Sequence, residues 1–551
     1  MSSAMRKPAR EILAEVIPRM VPALVLIFTS VFAYGLCGPH IGWLNDDYTE
    51  VFGASSGVPD WRTALMIGGG GHWSPYRLLK YPLQGYVSFW LGPSYTHILQ
   101  FMGHLICVLL FYTLLKRLAW PTPASLAAGL LFSTFPWFSS AVYYWPAASA
   151  TWATILVLGA AHSFLLWNES HLRRWWIAYA VFVLLSLVVY ELWLGGFIFF
   201  AGLDWYYRRN GKGVLSKSAN GRSTKGSSDV FWRFLGIAAP FLVYAVLYGI
   251  APSSNPSAEV RLTTLTRVPV LFALLHLRAL QWPLNLGWRW TFLNAGLAFH
   301  SGFGAFVLAS ETAVLMLLGY AWVRKWGQTD LRQNRIPLWD SLVLGWSLFL
   351  GSRIVFILEG VITRFESRKQ YAASMGVAIA IVALVSSLIQ TKQIGARLHA
   401  MAGVMVLAIV FVLGWGSAGV GIQYVNTTKA EAQTIRTLDR WISATPLPLR
   451  GLNIVVVAPK NPLVHGKFEF SYFSIHDGIW LDYAIRRRCQ DCSAYVTEDV
   501  ECVGKRTTIV LHDPGDSRTP PLSKGRNVLG DGTILFRWTG DDLVPERVAC
   551  Q

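Results

Sequence analysis

Asp46 and Asp47 stand side by side where the first long apolar run of the chain ends. Residues 20–44 are nearly continuous hydrocarbon, long enough at ~1.5 Å per residue to cross a bilayer core of ~30 Å. Carboxylates this close to lipid are costly and are usually kept for function. The alternative is that Asn45, Asp46 and Asp47 only cap the helix end in water. As chemistry, a carboxylate here suits general-base work on a hydroxyl nucleophile. Adjacent helical residues point ~100° apart, so a helix continuing through the pair lets only one face a given atom. Asp46 is favoured as the base, with Asp47 as its neighbour.

The other reactive side chains are mostly cations. Arg77, Lys80, Arg261, Arg278, Arg368 and Lys369 are suited to a phosphate. His72, Glu191, Glu366 and Tyr371 complete the polar residues expected around a pocket. Consider a sugar leaving a lipid phosphate for an acceptor hydroxyl. The phosphate departs as an anion and needs no proton, so one carboxylate is enough. An ordinary glycoside has a poor leaving group and requires an acid as well. Bland readings stand beside these. Glu191 can pair with an arginine across the bundle, and Arg368, Lys369, Arg77 and Lys80 can sit in lipid headgroups. His72 reads as a structural hydrogen-bonder. The glycine run 68–71 lacks the lysine of a phosphate loop and reads as a hinge. No Ser-His-Asp set and no metal motif stands out, and no cofactor is required.

The elements that must position these residues are membrane helices. The 551 residues are 53% hydrophobic and only 14% charged, with 25 Trp, which makes this a polytopic membrane protein rather than a string of soluble domains. The formal charge of +17 invites a nucleic-acid partner. Its location argues against one, because the basic residues lie mostly in short loops between apolar segments. The first apolar run is longer than the core of a secretory signal and lacks a small-x-small cleavage site, so it reads as a retained helix.

The apolar pattern predicts eleven helices. After the first come 97–115, 122–137 and 147–167, two short ones within 175–207 broken near Tyr190-Glu191, then 234–250, one ending at Arg324-Lys325, 338–358, one ending at Lys392, and 401–420. Two long outer segments interrupt them, 45–95 and 251–298. Basic loops fall on one side at every crossing, which predicts a cytoplasmic N-terminus. The same count places Asp46-Asp47, Glu191, the arginine-rich segment after residue 250 and the 364–371 stretch together on the outer side.

From about Gln423 the pattern changes. Apolar runs shorten to strand length at 453–457, 508–511 and 533–536, between helical patterns at 429–442 and 479–488. The expectation is a membrane domain over 1–422 and a small extracytoplasmic α/β domain over 423–551. Cys489, Cys492, Cys502 and Cys550 lie in the latter, where an oxidising compartment favours disulfides of undetermined pairing. Cys37 and Cys107 lie in apolar helix and read as inert.

This layout resembles the GT-C superfamily of membrane glycosyltransferases, which use polyprenyl-phosphate-linked sugars. That family carries an acidic pair just after its first helix, here Asp46-Asp47. Its Lys/Arg-Glu pair after the fifth helix is reduced here to Tyr190-Glu191. Residues Glu366 to Ser374 are similar to its Glu-Arg-Tyr-x-Tyr-x-Pro-Ser segment but lack the proline. His72-Trp73-Ser74-Pro75-Tyr76-Arg77 is similar to its His-x-Arg-Pro segment. The resemblance covers about residues 20–420. It implies an inverting transfer of sugar from a polyprenyl phosphate to a glycan, lipid or protein hydroxyl on the outer face of a bacterial inner membrane. A transporter or flippase of lipid-linked sugar is the alternative, disfavoured by the lack of a visible internal repeat.

Overall fold

The computed structural model describes residues 9–43, 86–210, 227–250, 287–300, 336–354, 367–391 and 396–444, four strands between 453 and 546, and residues 270, 273, 306 and 310. Its helices are α1 (Ala9–Ser30), α2 (Tyr86–Arg117), α3 (Thr122–Thr134), α4 (Ser140–Tyr143), α5 (Ala148–Ser170), α6 (Arg173–Val189), α7 (Gly196–Asn210), α8 (Ser227–Ile250), α9 (Gly287–His300), α10 (Leu338–Gly351), α11 (Ser367–Thr391) and α12 (Ala396–Ala444). Among the described residues five stretches are long and apolar enough to cross a bilayer: Met20–His40, Trp90–Arg117, Ala148–Ser170, Gln370–Leu388 and Gly403–Lys429. Arg233–Val246 and Leu338–Gly351 are apolar but shorter. This is the build of a helical membrane protein, in which every backbone polar group is satisfied within its own helix.

Several boundaries differ from the sequence pattern for identifiable reasons. The first apolar run is not one helix to Leu44. It turns into a π-helix at Val31–Gly35 and a 3₁₀ turn at Gly38–His40, and residues 41–43 are no longer helical. Pro39 lacks the N–H that would continue the ladder. In α2, Gly92 takes a φ of 73°, a left-handed conformation open to glycine, and Pro93 follows it. The break falls just before the expected start at residue 97. α9 begins within 251–298, a stretch expected as an outer loop, and runs on to His300. α12 runs 49 residues, straight through the expected end at residue 420 and through the separate pattern at 429–442. No proline stands between Ala396 and Pro446 to stop it.

The described chain forms two compact units, residues 9–38 with 97–421, and residues 39–43 and 86–96 with 422–546. In the first unit, α7, α10 and α11 pack closely because small residues line their contacts. A methyl group added at Gly345 of α10 would lie 2.7 Å from the carbonyl oxygen of Gly376 in α11. One added at Gly195 would lie 2.7 Å from the carbonyl oxygen of Gly351. Close backbone approach through small residues replaces the hydrophobic drive that lipid cannot supply. The order of contacts, Gly345 on Gly376 and Arg353 on Gln370, makes α10 and α11 antiparallel.

In the second unit the strands β1 (Asn453–Val457), β2 (Ser493–Thr497), β3 (Thr533–Trp538) and β4 (Leu543–Glu546) form one sheet in the order β2-β1-β3-β4. β1 is parallel to both its neighbours, with Val455 opposite Tyr495 on one side and Leu535 on the other. β3 and β4 are antiparallel, and Pro545 sits on the edge strand, where a missing ladder donor is tolerated. Phe536 of β3 is buried edge-on against Trp441 of α12, ring centroids 5.4 Å apart. Residues 479–488 and 508–511 lie outside the described residues.

Candidate functional site

Of the residues expected at the site, Asp46, Asp47, His72, Arg77, Lys80, Arg261, Arg278 and Glu366 lie outside the described residues. The chain leading to Asp46 is described as far as Trp43. Cys37 donates to the carbonyl oxygen of Ala418 at 3.8 Å, and Gly42 sits so that a methyl there would be 3.2 Å from Cβ of Thr428. Both partners belong to α12, so this helix accompanies the chain as it leaves the helical part of the first apolar run.

Glu191, Arg368, Lys369 and Tyr371 belong to the described elements. Glu191 opens the 3₁₀ turn Glu191–Trp193, which follows the extended backbone of Tyr190 between α6 and α7. Arg368 and Lys369 are the second and third residues of α11, inside its first turn rather than in a segment preceding it. The contact of Gly195 with Gly351 and Ile354 holds the Glu191–Trp193 turn beside the end of α10. Thus the turn that follows α6, the end of α10 and the start of α11 share one end of the first unit.

Tyr371 has a different role. It is fully buried, and its hydroxyl lies 2.9 Å from Nδ1 of His104 in α2. Phe132 and Phe138 pack edge-on against its ring at 5.4 and 5.0 Å. Tyr34 packs on His104 at 5.2 Å and donates to the carbonyl oxygen of Phe135. Ser417 of α12 donates to the carbonyl oxygen of Thr134 at 2.8 Å and lies 3.2 Å from the Tyr34 hydroxyl. The π-helical turn at Val31–Gly35 brings Tyr34 into this group. Nδ1 of His104 and the hydroxyls of Tyr34, Tyr371 and Ser417 have partners here, so α2, α3, α11 and α12 meet around a polar centre, while Nε2 of His104 is buried with no hydrogen-bond partner among the described residues. Tyr371 therefore locks the core and is not an open pocket wall.

The residue that sequence reasoning passed over is Arg353. It is only 9% exposed, two residues beyond the end of α10. Its Nη1 donates to the side-chain oxygen of Gln370, one residue past Lys369. Its guanidinium lies 5.4 Å over the ring of Phe349. Nε is buried and has no hydrogen-bond partner among the described residues, and no described carboxylate forms an ion pair with it. Ser374, one turn along α11, donates back to the Gln370 carbonyl at 2.7 Å and receives Nε1 of Trp137 at 3.2 Å. Gln370 is therefore held in place by its own helix and by the chain after α3. A signal was present in the sequence, since Arg353 is a lone charge inside an apolar stretch.

A buried guanidinium carries a desolvation cost of several kcal/mol unless an anion meets it. Arg368 and Lys369 open the neighbouring helix. Among the described residues no group of three or more His, Cys, Asp or Glu is placed to hold a metal ion. Cys37 and Cys107 are buried free thiols, and the four cysteines after residue 480 lie outside the described residues. No protein-family model matches the chain, and no curated protein matches it.

Proposed function

We propose that this protein is an integral-membrane, inverting glycosyltransferase that moves a sugar from a polyprenyl-phosphate donor to an acceptor hydroxyl. The observation that carries the proposal is the buried Arg353, joined to Gln370 at the start of α11 and with no carboxylate partner among the described residues. A phosphate monoester or diester would give this guanidinium an anion that no described residue supplies, and charge-assisted contacts of this kind are the strong ones. The GT-C resemblance points to the same chemistry from other residues: Asp46-Asp47 after the first apolar run, and Arg368-Lys369 beside Gln370.

In this reading Asp46 takes the proton of the acceptor hydroxyl as its oxygen attacks the anomeric carbon. The bond to the phosphate oxygen breaks, and the lipid phosphate leaves as an anion held by Arg353 with Arg368 and Lys369. Eleven crossings, a cytoplasmic N-terminus and an outer C-terminal α/β domain in a bacterial inner membrane complete the reading. The direct test uses the full chain in vesicles, a polyprenyl-phosphate-linked radiolabelled sugar and an added membrane-glycan acceptor. Asp46→Asn keeps the shape of the side chain but does not take up a proton, so it should insert and bind donor yet lose transfer by ~10²-fold or more. Asp47→Asn should cost less, and a reversed order of the two effects exchanges their roles. Transfer at the wild-type rate by both variants overturns the transferase reading.

A further inference from the structure

A second site lies away from Arg353, at the end of α7 and the start of α8. A groove of about 490 Å³ opens there, with Trp205, Phe234 and Ile237 as its apolar wall and Arg208, Arg209 and Arg233 on its polar side. Trp205 and Phe234 are 51% and 54% exposed, large rings left uncovered beside guanidinium groups. That pairing of aromatic wall and cation marks the boundary between acyl chains and headgroups. The volume falls within the range of small-ligand sites.

Two of the arginines are held by carboxylates while their side chains stay open to solvent. Arg208 pairs with Asp204 at 2.7 Å, one helical turn back. Arg209 pairs with the largely buried Asp340 at 3.3 Å and lies 5.6 Å over the Trp205 ring. Asn210 donates to the other oxygen of Asp340 at 2.8 Å, which fixes that carboxylate. Asp204 is the only carboxylate lining the groove among the described residues, against three arginines. Ordinary capping of the α7 dipole accounts for Arg208 and Arg209 at its end. It does not account for Arg233 on the next helix or for the uncovered aromatic wall that the three arginines share.

We infer that this groove binds an anionic phospholipid, its phosphodiester among Arg208, Arg209 and Arg233 and one acyl chain along Trp205, Phe234 and Ile237. Surface cations each strengthen attraction to an anionic leaflet, and the apolar wall distinguishes a lipid from a free anion. The inference is independent of the transferase reading, because it uses none of that site's residues.

Native mass spectrometry of the full chain, delipidated and then offered phosphatidylglycerol or phosphatidylcholine of the same acyl chains, tests it. Wild type should retain phosphatidylglycerol preferentially. The double variant R208Q/R233Q should lower that retention by roughly thirty-fold while leaving phosphatidylcholine unchanged. If the double variant does not fold, R233Q alone should reduce the preference by about five-fold. Trp205→Ala should weaken retention of phosphatidylglycerol without touching a charge. Equal retention of the two lipids by wild type overturns the inference, as does an undiminished preference in the arginine variants. Displacement of phosphatidylglycerol by inorganic phosphate alone overturns the lipid assignment.

Discussion

Replacing Arg353 by Met separates a guanidinium that serves a ligand from one that serves the fold. In the resting protein three terms bear on this side chain. Desolvation of the charge costs several kcal/mol. The charged hydrogen bond to Gln370 offsets about 1.5–3 kcal/mol, and the Phe349 ring beneath the guanidinium offsets about 0.5–2 kcal/mol. The offsets are of the same size as the penalty, so removing the group should change stability little. The Gln370 oxygen loses its donor, at about 1–3 kcal/mol, but Met fills much of the space and carries no charge. R353M should therefore unfold within about 2 kcal/mol of wild type. Transfer should behave differently. A donor aimed at a leaving phosphate in a dry site contributes about 3–4 kcal/mol, which is ~10²–10³-fold in rate. The assay measures thermal unfolding, binding of a polyprenyl monophosphate and sugar transfer on the same preparation. R353K, which keeps the charge but loses the fork, should recover part of the transfer. If R353M instead loses about 3–5 kcal/mol of stability, Arg353 is one half of a buried ion pair and its role is structural. Full stability together with wild-type transfer and phosphate affinity refutes the anion-site reasoning.

Gly376→Ala should destabilise the first unit by about 1–3 kcal/mol or prevent its assembly, because the new methyl meets the Gly345 carbonyl, a backbone atom that has no rotamer to yield; a melting temperature equal to wild type would show that α10 and α11 approach less closely. Tyr371→Phe removes the hydroxyl from Nδ1 of His104 and should cost about 1–2 kcal/mol in thermal unfolding while leaving polyprenyl-phosphate binding intact; a selective loss of binding would place Tyr371 in the site after all. In the C-terminal region, peptides mapped without reduction should show at least one disulfide among Cys489, Cys492, Cys502 and Cys550. Four free thiols or a bound zinc ion there would reject an oxidising, extracytoplasmic location.

What the amino-acid sequence determines here is what depends on local composition. Long apolar runs define membrane helices because lipid leaves the backbone no other partner, and runs such as those ending at Arg117 and at Ser170 are legible on that ground alone. The break at Tyr190-Glu191 and the strands at Asn453–Val457 and Thr533–Trp538 are legible for a similar reason, a change in hydrophobic period over a few residues. The acidic pair at Asp46-Asp47 is visible as charge at the end of a hydrocarbon run, and its role rests on that pattern. Other features depend on contacts far apart in the chain, and these the tertiary structure decides. Tyr371 carries the pattern of a pocket residue, yet its partner is His104, 267 positions away, and that pairing turns it into a core lock. Arg353 sits in sequence as one basic residue near the end of an apolar stretch. The ring of Phe349 lies one turn back on its own segment, but only the packing of α10 on α11 through Gly345 and Gly376 brings its guanidinium against Gln370. Burial is what sets this arginine apart from an ordinary one, and burial is a property of the assembled helices rather than of any single segment.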